Sequence, residues 1–572
     1  MITQRAKLQA SIPRKDAVLS RREIEGLIAD GRTITIVDGK VLKVDAWLAF
    51  HPGGGKAIQH MVGRDATDEV NALHSSEARE RMRSYQIGVI NGRWKNFLPP
   101  IQGGQFRSYK KKEGPADKLN IEESTSSSDS SPSASPIFDT LDTVPRKRKG
   151  HVRQISRDDE DASSISSISS TDLATLNLTE GAAEIAAYTR KEIESDLAKY
   201  PSLDPVIQDE ITHRYRHLKK RMEDEELFKC NYYAYMIEIS RYMFLFSMCL
   251  LTLRLGWYAV SGLFLGVFWH QLVFTAHDAG HMGITHNFTV DTVIGIIVAD
   301  FLGGLSMGWW KRNHNVHHIV TNSPEHDPDI EHMPFFAISH RFFESLRSTY
   351  YERIMAYDSV AKFAIRYQKY LYYPLLTMGR FNLYRLSWEY LILGLGPKKG
   401  PAWWHRWLEL AGQVFFWTWF GYGIIYKCIP TTGGRIAFIM VSHMVTAPLH
   451  VQITLSHFAM STADLGVHES FAQKMLRTTM DVDCPEWLDF VHGGLQFQAI
   501  HHLYPRMPRH NLRKAQKLVQ EFCQESGIPY ALYGFVDGNK EVLGRLGEVG
   551  KQAAILAACQ KALAENSDYG HR

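Results

Sequence analysis

His277-Asp-Ala-Gly-His281, His314-Asn-Val-His317-His318 and Gln498-Ala-Ile-His501-His502 decide how this 572-residue chain is read. Residues at i, i+3 and i+4 share one face of a helix, so each stretch sets its imidazoles, or in the third case a Gln, side by side. At this His frequency one HxxHH arises by chance about 0.05 times in such a length, so chance is a poor account of the set. A single His near a membrane end is most often an ordinary core or interface residue; seven clustered imidazoles and a matching Gln are not. Neutral imidazoles suit iron, and seven are too many for one ion, so a two-iron site is expected. His457 is an eighth candidate, with an ordinary interfacial histidine as the equally open alternative. Asn315 and Asp278 are candidates to orient imidazoles from behind. The composition agrees, with 26 His against 6 Cys and no CxxC pair. That excludes a cysteine zinc site and a disulfide scaffold.

Working outward, the three stretches border hydrophobic blocks. Leu255–Ala276, Leu410–Tyr426 and Ile436–Ala463 carry no Asp, Glu, Lys or Arg over 22, 17 and 28 residues. Met236–Leu253 has Glu238 and Arg241 near its start but is otherwise apolar. A bilayer needs about 20 apolar residues per helix, so four spanning helices are expected. With the N-terminus cytosolic, two out-and-back hairpins return the chain to the cytosol at His277 and again before His501. His314–His318 joins them only if the block Thr289–Trp310 does not span, which also explains why it tolerates Asp291 and Asp300. It is expected to be embedded or re-entrant, buried against protein. The long 277–409 segment is rich in Lys and Arg, as the positive-inside rule requires of a cytosolic loop. The mean hydropathy of −0.23 is then an average over a membrane core and polar segments.

Two further regions precede this core. Residues 19–95 read as a small α+β domain after an N-terminal tail, 1–18, whose MITQRAKLQASIPRKD lacks the apolar run of a cleaved secretory signal. In it, His51-Pro-Gly-Gly54 and His74 stand 23 residues apart. The Pro-Gly-Gly turn can present His51 and let backbone approach a flat ligand, and a haem iron takes one imidazole from each side. Residues 96–185 then change composition abruptly. Eight of the thirteen residues of Ser124–Pro136 are Ser, and a basic run (Arg146–Lys149) and an acidic run (Asp158–Asp161) follow. Such a stretch cannot build a core and is expected to be a disordered linker. About 85 residues of it reach on the order of 50 Å. A net charge of +4 gives no sign of a nucleic-acid partner.

The N-terminal stretch resembles cytochrome b5, on Glu23-Ile24, Val44-Asp45, His51-Pro-Gly-Gly54, Gly63-Arg-Asp65-Ala-Thr67, His74-Ser and Ile87-Gly88. The resemblance implies a haem b held by His51 and His74. The core, 186–572, resembles the membrane fatty-acid desaturase superfamily, on Trp309-Trp-Lys-Arg-Asn-His314, Gly493-Gly-Leu-Gln-Phe-Gln498 and His502-Leu-Tyr-Pro505. The fused haem domain and the Gln of the third box match its front-end branch. Within that branch the chain looks most like the fungal sphingolipid delta-8 desaturases, which carry a Ser-rich insert after the haem domain. Ala499-Ile500 departs from the Ile-Glu common in fatty-acyl members, which loosens the substrate analogy and leaves the ligand set intact.

These resemblances imply an oxygen-dependent di-iron oxidoreductase. His277, His281, His314, His317, His318, Gln498, His501 and His502 would be catalytic, and electrons would come from NADH through a cytochrome b5 reductase. Its substrate would be the long-chain base of a ceramide or glucosylceramide. It would lie as a multi-pass protein in the endoplasmic reticulum membrane, haem domain and histidine boxes facing the cytosol. Three alternatives stay open: a front-end fatty-acyl delta-5 or delta-6 desaturase, a lipid hydroxylase, and a non-catalytic haem-binding membrane adaptor.

Overall fold

The computed structural model describes residues 15–97 and 170–569. Most of the expected linker, with its Ser tracts and charge runs, lies outside the described residues.

The N-terminal unit is a small α/β domain. Its elements run α1 (Arg21–Ala29), β1 (Ile34–Val37), β2 (Lys40–Lys43), α2 (Gly55–Gln59), α3 (Thr67–Leu73), α4 (Ser76–Met82) and β3 (Gln86–Val89). Ser20 caps α1 and Glu23 reaches back to complete a capping box, which satisfies two otherwise orphaned N–H groups. The three strands form one antiparallel sheet in chain order, Ile34 facing Lys43 and Val37 facing Lys40. The alternating apolar runs predict these strands; Ile24, Ile28, Ile34, Val41 and Val62 form the core behind them.

The remainder is mostly helical. It opens with α5 (Ser170–Lys199), which starts inside the stretch that composition assigns to the linker, and α6 (Pro205–Asp224). The apolar helices follow: α7 (Tyr232–Arg254), α8 (Tyr258–Gly280), α9 (Phe288–Ile296) with a π-helical turn Ile297–Leu302, and α10 (Met307–Val320). A lateral group, α11 (Ser359–Arg366), α12 (Gln368–Leu376) and α13 (Gly379–Leu393), precedes α14 (His405–Phe416), α15 (Thr432–Met444) and α16 (Ala447–Phe458). The C-terminal part comprises α17 (Phe471–Thr478), β4 (Asp481–Asp483), α18 (Asp489–His492), α19 (Gln498–Leu503), α20 (Leu512–Ser526), β5 (Leu532–Gly534) and α21 (Phe535–Tyr569).

Among the described residues, three helices are long and apolar enough to cross a membrane: Tyr232–Arg254, Tyr258–Gly280 and Thr432–Phe458. A fourth is added if the pair Phe288–Leu302 and Met307–Val320, bent by 118°, counts as one. The expected span Leu410–Tyr426 is helical, as α14 and a π-helical continuation Trp417–Cys428, but is not one of the three.

The acids that seemed out of place in the apolar blocks cap and tie this framework. Asp291 accepts from the Thr285 N–H at 2.9 Å and its hydroxyl at 2.6 Å. Asp300, fully buried, accepts the Met307 N–H at 3.2 Å and the Gln413 amide at 3.0 Å. Glu409 accepts the Gly308 N–H at 3.0 Å and the Ser306 hydroxyl. Two carboxylates therefore hold the N-terminus of α10 at the bend, where orphaned N–H groups and the helix dipole favour negative charge. Glu238 pairs with Arg509 and Arg241 donates to Gln271.

Candidate functional site: haem turn and imidazole clusters on one helix

In the N-terminal domain, the turn Pro52–Gly54 brings His51 opposite His74. Their ring centroids lie 5.9 Å apart, room for one iron with metal–imidazole bonds of about 2 Å. His51 Nδ1 contacts the Gly54 carbonyl at 2.8 Å, and His74 Nδ1 contacts that of Val70 at 3.3 Å. A ring donating from Nδ1 keeps its Nε2 lone pair for metal. Burial holds both imidazoles below their ordinary pKa, His74 down to about 3, so both are neutral, as ligands must be. Gly54 has φ of 85°, a conformation that favours glycine. These residues fit a bis-imidazole haem.

The three sequence boxes converge. His277 and His281 end α8, His314, His317 and His318 lie along the second half of α10, and His501 and His502 lie on α19. Capping by Asp300 and Glu409 fixes where α10 starts, and hence which way its histidines face. Two groups form. In the first, His277, His281, His314 and His501 bring one ligand atom each within 4.8 Å of one another; in the second, His317, His457 and His502 do the same. His318 sits between them, its ring 4.8 Å from that of His281 and 4.3 Å from that of His502. Gln498 is buried at the start of α19, one turn ahead of His501 and His502.

The donor set suits metal. The Nε2 atoms of His277, His281, His501 and His502 and the Nδ1 of His318 are buried with no hydrogen-bond partner among the described residues. Buried polar atoms are rarely left so, and several converging imidazoles are the donor set that metal cations take. Burial holds His501 and His502 well below the ordinary imidazole pKa, again the neutral ligand form.

Residues behind the rings complete the arrangement, and here sequence reasoning missed the main one. Asp327 is fully buried and accepts from His317 Nδ1 at 2.9 Å. It also accepts the Asn322 and Asp329 N–H groups at 2.8 and 2.9 Å. Thr321 contacts His502 Nδ1 at 3.3 Å, and Asn322 donates to the His457 carbonyl at 2.8 Å. The signal was Asn-Ser-Pro-Glu-His-Asp-Pro-Asp directly after α10, a polar turn of the kind that supplies side-chain acceptors. Asp278 has a different main task from the one expected. It pairs with Arg509 and Tyr235, and its oxygen lies 3.9 Å from His277 Nδ1. Asn315 faces the haem domain at Gly53, beside the His51 ring.

The two sites meet on α10. A Cβ built on Gly53 would lie 2.6 Å from Asn315 Nδ2, and one on Gly54 would lie 3.1 Å from Arg312 Cγ. Ala57, Met61 and Ala66 of the haem domain join Val316, Ile319 and Val320 in one apolar cluster. Arg216–Asp68 at 2.7 Å and His60–Thr349 at 3.0 Å extend the contact. One side of α10 thus carries the haem-ligand turn, and the other carries His314, His317 and His318. The gap is one helix, about 10 Å wide with its side chains.

A haem-type domain set against a helical membrane core that gathers eight imidazoles defines a membrane-bound lipid oxidoreductase. The family comparison agrees: a fatty acid desaturase model matches residues 254–534, and a cytochrome b5-like heme/steroid binding domain model matches 20–91. The chain belongs to the fatty acid desaturase family, in the form with a fused cytochrome b5-like domain. A protein named Delta 8-(E)-sphingolipid desaturase from Emericella nidulans is 64% identical over 97% of this chain and 99% of its own length. One of the same name from Kluyveromyces lactis is 48% identical over 96% of this chain and 95% of its own. An acyl-lipid (9-3)-desaturase from Borago officinalis is 39% identical over 51% of this chain and 64% of its own length.

Proposed function

We propose that this chain is a sphingolipid delta-8 desaturase, which introduces a double bond into the long-chain base of a ceramide or glucosylceramide. The carrying observation is identity of 64% over nearly the full length of both chains with a relative of that name. Two irons would be held by His277, His281, His314 and His501 on one side and by His317, His457 and His502 on the other, with His318 between. When bound, they supply the oxygen chemistry that removes two hydrogens from an unactivated alkyl chain. The chain's own residues do the rest. Asp327 orients His317, Asp300 and Glu409 position α10, and His51 and His74 would hold a haem, which would supply one-electron transfer.

A cytochrome b5 reductase would supply electrons to the tethered haem domain, which docks on α10; the linker would raise its effective concentration there. The protein lies in the endoplasmic reticulum membrane with both metal sites cytosolic. Four spans (α7, α8, α14 with its π-helical continuation, and α15–α16) and the re-entrant α9–α10 pair bring all three boxes to that side. Domain limits of 1–18, 19–95, 96–185 and 186–572 describe the chain's organisation.

Expression in a host lacking such enzymes, with profiling of both long-chain bases and fatty acids, tests the reading. A delta-8 unsaturated base is expected. An unsaturated fatty acid alone would replace it with the acyl reading that the borage relative favours, and an alcohol would indicate a hydroxylase.

A further inference from the structure

The third-box helix α19 is six residues long, and its N-cap is Phe497, whose side chain caps nothing. A helix that short is unstable alone, and its first N–H groups need acceptors. The direction of His501 and His502 is therefore set from outside the helix. The acceptor comes from Asp481 on β4. Its Oδ1 takes the Ala499 N–H at 2.7 Å, which satisfies an orphaned donor at the positive end of the helix dipole. Asp481 is fully buried. Its other oxygen accepts the Tyr530 hydroxyl, which in turn accepts the Gln516 amide at 3.4 Å. Its own N–H donates to the Ala531 carbonyl at 2.9 Å, where β4 pairs with β5.

The residues just before Asp481 reach the other helix that serves the second imidazole group. The Met480 N–H donates to the Ser456 carbonyl at 2.9 Å. The Thr478 carbonyl lies 3.4 Å from His457 Nδ1, an acceptor that leaves Nε2 of that ring for metal. Thr478, Thr479, Met480 and Asp481 are all buried, none more than 2% exposed. One short run thus touches both the end of α16 and the start of α19. Those elements supply His457 and His502, whose rings lie 4.9 Å apart. His317, the third member of the group, is oriented from another direction, by Asp327. Ligands from separate parts of a chain hold a metal geometry to about 0.5 Å only when their supports are themselves locked.

We propose that Thr478–Asp481 is a bracket that sets His457 against His502, with Asp481 as its main positioning residue. Asp481 acts through the α19 backbone rather than on a ring. The bracket rests on the di-iron reading above and adds the residues that fix the geometry of its second site.

The test uses the full-length protein, purified in detergent with haem bound. Non-haem iron per chain is measured after dialysis against a graded series of chelator concentrations. Haem absorbance serves as internal standard, and the melting temperature is recorded in parallel. Asp481→Leu, similar in size but without an acceptor, should release iron at about tenfold lower chelator concentration than wild type, the scale of a lost support behind the ligands. Asp481→Asn keeps an acceptor for the Ala499 N–H and should restore the wild-type midpoint. Tyr530→Phe should shift the midpoint in the same direction by a smaller factor, and it carries the test if Asp481→Leu does not fold. Val549→Ala, in the apolar cluster that also holds Val482, should lower the melting temperature and leave the iron midpoint in place. Wild-type iron retention in Asp481→Leu and Tyr530→Phe overturns the proposal. Iron loss in Val549→Ala in step with its stability, or in Asp481→Asn as in Asp481→Leu, overturns it too. A wild type without non-haem iron would sink the di-iron reading itself, whereas a wild type and variants that hold iron equally sink only the bracket.

Discussion

His317 donates from Nδ1 to Oδ2 of Asp327 at 2.9 Å, although the two are ten residues apart and Asp327 lies beyond the end of α10. This contact fixes the ring's tautomer and leaves Nε2 for metal. Partners of this kind contribute about 10–100-fold to metal affinity. Asp327→Ala should lower bound iron and activity accordingly while leaving the haem absorbance unchanged. Asp327→Asn, which keeps an acceptor, should fall between. Iron analysis of the purified proteins decides, and full iron occupancy in Asp327→Ala would refute the role.

His457 stands in the second imidazole group, its ring 4.6 Å from that of His317 and 4.9 Å from that of His502. His457→Ala should reduce non-haem iron per chain from about two toward one. His405→Ala, on α14 and outside both imidazole groups, should leave the count unchanged. The haem signal serves as an internal standard in both.

Docking of the haem domain is held in part by Arg216 and Asp68, 2.7 Å apart, the arginine side chain 49% exposed. A pair so open to solvent contributes roughly 0–1 kcal/mol. Asp68→Arg should therefore slow haem reoxidation by the core by up to about fivefold. The double variant Asp68→Arg with Arg216→Asp should recover. Rapid-mixing absorbance at the haem band reports this without reference to product.

Arg509 joins α7, α8 and the segment after the third box by pairing with Glu238 and Asp278, the arginine and Asp278 side chains buried and that of Glu238 12% exposed. Removing one partner of a buried ion pair costs about 3–5 kcal/mol. Arg509→Met should then sharply lower the melting temperature in detergent and the yield of membrane-inserted protein. A variant as stable as wild type would show that the network contributes little.

His60 bonds to Thr349 at 3.0 Å across the domain interface, and burial lowers its pKa to about 4. The free imidazole titrates near 6.5, so between these values the unfolded chain binds the extra proton and the folded one does not. The resulting stability is present above about 6.5 and is lost as pH falls toward 4. The melting temperature should drop with acidification in that window. His60→Gln should flatten the slope, which a pH series of thermal scans will show.

Local pattern made much of the site legible. The i, i+3, i+4 spacing of the boxes and the His51–His74 pair depend on short-range helix and turn geometry, and the structure brings these residues together as that geometry requires. Asp327, Asn322 and the Asp300–Glu409 cap of α10 were hidden for the opposite reason: each acts on a neighbour reached through a bend or from another helix. Asp291 and Asp300, read as burdens in a membrane segment, instead accept N–H groups of the turn before α9 and of the start of α10.

The sequence by itself determined which residues could bind metal, because ligand chemistry and helix period are carried by residue type and spacing. The tertiary structure alone decided how the imidazoles divide into two groups and that His457 joins one of them. It also decided that the haem-ligand turn rests on the same helix as three box histidines. Those relations hold between segments far apart in the chain, and only packing in three dimensions sets such distances.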